Sequence, residues 1–373
     1  MGVSPLRVDK RCLASQSESV QAVAEDNARP WTEPGIYTVA PGVYRIPLPL
    51  PNDGLRGVNV YALTDGSDLV LIDSGWALEA ARQQLSGALK GIGAELGDIS
   101  QFLVTHVHRD HYTQAVALRR EFGGKIALGQ QEEASLLASA DPDGTPLHAQ
   151  LAVLRQSGAE PVLDALRKMF GEQAHATEAS IWETPDEWLT PGRRSVLPGR
   201  DLDVVHTPGH TTGHVVFDDG AGGLMFTGDH VLPHITPSIG FQPKAAELPL
   251  RDYLGSLRLV RGMPDRRMLP AHGPVSDSVH QRVDELLDHH EERLSRTAET
   301  IVDGATTAYE AALRLGWTRR RRKLGELDAF NQMLAVGETR AHLDLLVYQG
   351  KLTAAEEDGI RRYRPASTGD SPA

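Results

Sequence analysis

Apolar and polar positions along the chain change their period several times, and each change marks a predicted element. Apolar clusters at 43–48, 58–63, 69–72 and 101–104 are short, and the pattern predicts strands there. Helical spacing follows at 77–89 and 112–121. It recurs at 132–138, 147–156 and 162–170, then gives way to strand patterns at 202–205, 215–217 and 224–226. Beyond these, residues 279–298 read as a long amphipathic helix. A second helix opens at 306–312 on a threonine cap and stops at Leu315-Gly316. A third spans 331–349 and is closed by Gly350. Residues 352–364 read as a hairpin that turns at Asp358-Gly359. Strands followed by helices in this order predict an α/β fold in which two stacked sheets are covered by helices.

The pattern divides the chain. Residues 1–34 are polar and lack periodicity, which predicts a flexible tail whose 31–34 segment docks on the rest. Residues 35–280 form the main domain, with a helical insertion at 130–192. Residues 281–366 form a helical C-terminal domain, and 367–373 a disordered tail. The 373 residues suffice for two domains and a large core. With 40% hydrophobic and 24% charged residues the composition is that of a globular protein. A formal charge of −12 argues against broad nucleic-acid binding. The one cysteine, Cys12, excludes an internal disulfide framework and places no thiolate near the motifs below. Neither a spanning apolar stretch nor a signal-peptide centre is present, so a cytoplasmic location and no membrane partner are expected.

The chemistry concentrates in four segments. Thr105-His106-Val107-His108-Arg109-Asp110-His111 follows a predicted strand, and in extended backbone His106 and His108 face the same side. His210 lies in Thr207-Pro208-Gly209-His210-Thr211-Thr212-Gly213-His214, Asp229 in Phe226-Thr227-Gly228-Asp229-His230, and His272 in Leu269-Pro270-Ala271-His272-Gly273. Together they offer at least five histidines and two aspartates, enough for two metal ions, and imidazole with carboxylate suits zinc, iron or manganese.

In these segments the chain resembles the metallo-β-lactamase fold superfamily, over roughly residues 36–280. Leu71-Ile72-Asp73-Ser74-Gly75 looks like that family's first motif. The resemblance implies an αββα sandwich, with His106, His108 and His210 on one metal, Asp110, His111 and His272 on the other, and Asp229 bridging. Asp73 would orient a ligand histidine. Two divalent ions, zinc first with iron and manganese as alternatives, would be the cofactor. A metal-bridging hydroxide would be the nucleophile, and Asp110 would shuttle the proton. The absence of a cysteine ligand argues against antibiotic hydrolysis. The Thr207–His214 motif is similar to that of hydroxyacylglutathione hydrolase, a thioesterase.

The C-terminal helix–helix–helix–hairpin order resembles the winged-helix module attached to some of these hydrolases. Its expected role is to cover the active-site mouth, with a homodimer contact as the alternative. Arg319-Arg320-Arg321-Arg322-Lys323 is the one basic run and raises a nuclease reading. The helix that would read nucleic acid carries Glu338, His342 and Asp344 beside Arg340, a mixed face. His342 is expected to be solvated.

Of the remaining candidates, His230 is placed in the site as a second catalytic residue, while His234 is evenly balanced. His214 and His206 are expected to support the His210 loop, and Tyr112 is balanced between core and site. His148 and His175 are read as surface residues. Trp182, Trp188, Met169 and Phe170 are expected to fill the insertion's own core, with an acyl pocket as the alternative. The expected activity is metal-dependent hydrolysis of an ester-like acyl bond in a small-molecule substrate, a thioester first. The alternatives are an endoribonuclease (a phosphodiesterase), a lactonase and, last, a non-catalytic binding protein.

Overall fold

The structure, a computed structural model, describes residues 24–25, 30–51, 54–66, 68–141, 147–170 and 181–366. Cys12, most of the expected N-terminal tail, His175, the side chain of Phe170 and the 367–373 tail lie outside the described residues.

The first sheet holds β1 (Ala24–Glu25), β2 (Tyr37–Ala40), β3 (Val43–Pro49), β4 (Gly57–Thr64), β5 (Leu69–Ile72), β6 (Ile99–Val104), β7 (Lys125–Gly129) and β8 (Glu187–Leu189), in that spatial order. Strands β2 to β5 pair antiparallel, and β5 to β8 pair parallel. The second sheet runs β13 (Arg267–Pro270), β12 (Leu224–Gly228), β11 (Val215–Asp219), β10 (Arg200–His206) and β9 (Gly192–Leu197). Strands β14 (Leu352–Glu357) and β15 (Ile360–Pro365) make a separate antiparallel ribbon. Its turn residues Asp358 and Gly359 both take positive φ, 54° and 74°, as a two-residue hairpin turn demands.

Nine α-helices are described: α1 (Glu79–Lys90), α2 (Arg109–Phe122), α3 (Glu133–Ala140), α4 (His148–Gln156), α5 (Glu160–Phe170), α6 (Pro249–Gly262), α7 (Val279–Val302), α8 (Ala308–Arg314) and α9 (Ala329–Tyr348). Alternation along each strand explains the layering. On β4, Val58, Val60 and Ala62 point to a cluster shared with α1 and α2, while Tyr61 and Leu63 point to a second cluster between the sheets. On β11, Val215 and Phe217 enter that inter-sheet cluster, and Val216 enters a third, shared with α6 and α7. Both faces of both sheets are therefore covered, giving the expected αββα order, and this is why the central strands read as unbroken apolar runs.

Three features differ from the sequence-based expectations. Helix α2 begins at Arg109 rather than 112, so Asp110 and His111 sit in its first turn. Helix α6 was not anticipated; Pro249 opens it, and its buried Leu250, Tyr253, Leu254, Leu257 and Val260 pack on the second sheet. The insertion does not build a core of its own. Leu154, Val162, Leu163 and Leu166 from α4 and α5 pack with Ala312, Trp317, Met333 and Val336 of the C-terminal region. Trp182 and Trp188 turn to the first cluster, where Trp182 stacks on Tyr112 at 6.3 Å, and Met169 is 57% exposed. A segment this short buries little surface alone, so it buries it against neighbours. Among the described residues no helix is long and apolar enough to cross a membrane.

His342 corrects the solvated expectation, because it is fully buried between α9 and α7. Its Nδ1 meets the Glu338 carbonyl at 2.8 Å and its Nε2 lies 3.2 Å from His290 Nδ1. Burial, with Arg293 and His289 nearby, pushes its imidazole down to about 3, against the backbone hydrogen bond. The folded protein thus holds His342 neutral, whereas the unfolded chain protonates near pH 6.5. The stability this contributes is complete above pH 6.5 and is lost as pH falls towards 3, by about 1.4 kcal/mol per unit. Urea unfolding of the parent and His342→Gln at pH 7.5 and 5.0 should show the smaller acid loss in the variant; equal losses would contradict this.

Candidate metal centre

The site forms where β6, β12 and β13 end, because each strand hands its next residues to the same edge of the sandwich. His106 and His108 follow β6, Asp229 follows β12, and His272 follows β13. His210 comes from the loop between β10 and β11, and Asp110 and His111 from the start of α2.

Seven side chains converge there in two groups that share Asp229. His210 Nε2 lies 3.0 Å from His108 Nδ1 and 3.3 Å from His106 Nε2, and those two atoms are 3.0 Å apart. Three nitrogens each about 2.0–2.1 Å from one tetrahedral zinc would stand about 3.3 Å apart. In the second group His272 Nε2 is 3.4 Å from Asp110 Oδ2, and His111 Nε2 is 3.7 Å from the same oxygen. Asp229 reaches both groups. Its Oδ1 is 3.3 Å from His272 Nε2 and 3.7 Å from His111 Nε2, and its Oδ2 is 3.5 Å from His210 Nε2. His111 Nε2, His272 Nε2 and Asp229 Oδ1 are all buried without a hydrogen-bond partner among the described residues. Buried polar atoms left in that state are costly, and here they point at one another, so the donor set fits a pair of cations.

Four of the imidazoles are held from behind. Asp73, on a strained left-handed backbone (φ 58°), accepts from the Thr105 amide at 2.8 Å and contacts His111 Nδ1 at 2.9 Å. His108 Nε2 meets the Phe241 carbonyl, His210 Nδ1 the Ser238 carbonyl and His272 Nδ1 the Gly57 carbonyl, at 2.6, 2.7 and 2.7 Å. Such partners fix the tautomer and aim the free nitrogen. Asn59 secures the His272 loop by donating to the Pro270 and Gly273 carbonyls. Buried Glu132, its carboxyl pushed up to about 7 by burial, accepts from the Thr211 hydroxyl and braces the His210 loop.

Electrostatics separate the two groups. Burial, then the neighbouring imidazoles, drives His106 well below the usual histidine range, and burial with His210 takes His108 down to about 3. Burial opposes charge on His111 and His272 as well. The carboxylates of Asp73, Asp110 and Asp229 outweigh it at His111, and those of Asp229 and Asp110 at His272, raising them to about 10 and about 9. Burial likewise opposes charge on Asp229, yet His272 and His111 hold its carboxyl well below the ordinary range.

The other candidates separate cleanly. His230, placed in the site from its position in the sequence, has a fully buried ring 5.3 Å from Tyr253 of α6 and lies in neither ligand group. His234 is exposed, and its carbonyl accepts from Arg319 at 2.8 Å. His214 is buried; its Nδ1 pairs with the Thr207 hydroxyl and its Nε2 accepts from the Asp229 amide at 3.2 Å. His206 Nε2 bonds the Thr212 carbonyl, Tyr112 is core, and His148 is exposed. Three supports escaped sequence reasoning: the carbonyls of Gly57, Ser238 and Phe241 carry no side-chain signal. Glu132 and Asn59 were hidden because their partners lie far away in the chain.

Residues 53–272 match the metallo-beta-lactamase superfamily profile, and residues 321–366 match that of the metallo-beta-lactamase-like C-terminal domain. The chain is 25% identical over 323 residues to a Bacillus subtilis protein named "Probable metallo-hydrolase YqjP", covering 83% of this chain and 93% of that one. It is 25% identical over 291 residues to an atrochrysone carboxyl ACP thioesterase of Aspergillus fumigatus, covering 75% and 74%. Among solved structures, a metallo-beta-lactamase family protein from Thermus thermophilus superposes with a TM-score of 0.68 at 26% identity, covering 88% of this chain and 100% of that one.

Proposed function

This chain belongs to the metallo-beta-lactamase superfamily, and from that premise we propose that it is a binuclear zinc-dependent hydrolase of ester-like acyl bonds whose substrate is a thioester. One observation carries the reading: Asp229 stands between two ligand groups, with its Oδ1 and the facing imidazole nitrogens buried and unpartnered. His106, His108 and His210 would hold one ion, Asp110, His111 and His272 the other, and Asp229 both. Bound there, the cations supply a water-derived nucleophile at neutral pH, by lowering the pKa of water from about 15.7 towards about 7, and Lewis acidity at the acyl oxygen.

The chain's own residues do the rest. Asp73 and the Phe241, Ser238 and Gly57 carbonyls hold the ligand imidazoles in register. Asp110 is the most open of the carboxylates, with a side chain 17% exposed, and is placed to pass a proton between the site and solvent. The thioester choice draws support from the named thioesterase among the relatives.

The phosphodiesterase reading has one observation in its favour. Arg319 donates to the His234 carbonyl, so the exposed Arg319–Lys323 run sits beside the loop that follows Asp229. One experiment separates the two. Zinc-loaded protein should release free thiol from an acyl-CoA thioester, and a chelator should abolish the release. Thiol-free reactions from fully loaded protein, with cleavage of an RNA oligonucleotide instead, would overturn the thioester reading.

A further inference from the structure

A cavity of about 220 Å³ lies between α4, the 238–249 segment and α9. It shares a wall with the metal centre. Ser238 and Phe241 line it, and their carbonyls are the ones that hold His210 and His108. The Phe241 ring also packs on the His108 ring, with centroids 5.7 Å apart. On the opposite side the wall is α9, where Met333, Gly337 and Ala341 succeed each other at one-turn spacing.

Gly337 is the informative residue. A glycine inside a helix costs about 1 kcal/mol relative to alanine. Packing does not require it here, because a Cβ built at this position meets nothing within 4 Å. Its effect is to keep space open next to the site. Several polar groups around that space are already engaged, although Arg340 Nη1 is buried without a partner among the described residues. Gln150 donates to the Gln242 carbonyl, the Gln242 side chain is paired with Thr212, and Arg340 is paired with Asp344. A lining made mostly of apolar residues, among them Val153, Ile239, Phe241, Met333 and Leu334, is suited to an uncharged, apolar guest.

We propose that this cavity receives the acyl part of the substrate, that the acyl group is uncharged and apolar, and that Gly337 sets how large it can be. The proposal rests on the acyl-hydrolase reading above. It assigns α9 of the C-terminal region a direct part in substrate selection, and it gives the insertion helix α4 the facing wall.

The test uses metal-loaded, full-length protein with acetyl-CoA, hexanoyl-CoA and adipoyl-CoA. The parent should prefer hexanoyl to adipoyl, which ends in a carboxylate; the reverse preference would overturn the apolar class. In Gly337→Leu the ratio of kcat/KM for hexanoyl over acetyl should fall at least about tenfold, and Gly337→Ala should shift it less, in the same direction. An unchanged ratio in both variants, with folding intact by circular dichroism, would overturn the proposal. If the parent hydrolyses none of these thioesters, the thioester reading fails and calorimetric binding of hexanoate decides the cavity. Weaker binding by Gly337→Leu would support it, whereas no binding by the parent or equal binding by both would overturn it.

Discussion

Replacing Asp229 with asparagine should strip most of the metal and most of the activity from this protein. Asp229 is the one side chain whose two oxygens face different ligand groups, Oδ1 towards His272 and His111, Oδ2 towards His210. Asparagine keeps the shape but offers one oxygen and an NH2 donor, which cannot ligate a cation, and it removes a negative charge. Changing an outer partner of a metal ligand already costs 10–100-fold in affinity or activity, so loss of the shared carboxylate should lower kcat/KM by more than about 100-fold. The variant should also bind fewer than two ions per chain. The backbone should hold, because the Asp229 amide is anchored on His214 independently of the carboxylate. Elemental analysis beside turnover checks this, and a variant with two ions and parental turnover would contradict it.

Gly209→Ala should have a large structural effect. Gly209 has φ 137°, a conformation that L side chains rarely adopt, and a Cβ there would lie 2.4 Å from Tyr253 Cα and 2.6 Å from Tyr253 N. The obstacle is the backbone of α6, which cannot swing aside like the end of a flexible chain. The loop is also tied by the Gly209 amide to Thr211 and by its carbonyl to Gly240. Relief must move α6 or His210, the ligand next in sequence. The expected cost exceeds about 4 kcal/mol, at the far end of single substitutions, so the thermal midpoint should fall by roughly 5 °C. Gly255→Ala is the control: it lies in α6 itself and its Cβ would meet nothing within 4 Å, so it should leave the midpoint level or raise it. Equal midpoints for the parent and Gly209→Ala, with full metal content in both, would contradict this account.

The seven residues that cluster at the centre were legible because each stands beside glycine or proline, or at a strand end, in a short motif that tolerates few other chemistries. The sheets were legible because strands covered on both faces read as continuous apolar runs, as at 58–63 and 69–72. Helix α6 carried a usable signal, Pro249 followed by apolar residues at helical spacing. His230 shows the limit of adjacency. Gly228 turns the chain at φ 49°, after which Asp229 faces the ligands and His230 packs under α6. His342 was misjudged because the helix around it carries Glu338, Arg340 and Asp344. Arg340 and Asp344 pair with each other on one side, which leaves His342 to be buried against α7. Packing of the insertion on the C-terminal helices depends on contacts between segments far apart in sequence, and no local pattern reports them.

The central claim is that these seven residues hold two ions in one centre. Anomalous diffraction at the zinc edge from crystals of the zinc-loaded protein tests it most directly. The account predicts two peaks per chain, one among His106, His108 and His210, the other among Asp110, His111 and His272, with Asp229 between them. A single peak, or peaks away from these side chains, would contradict it.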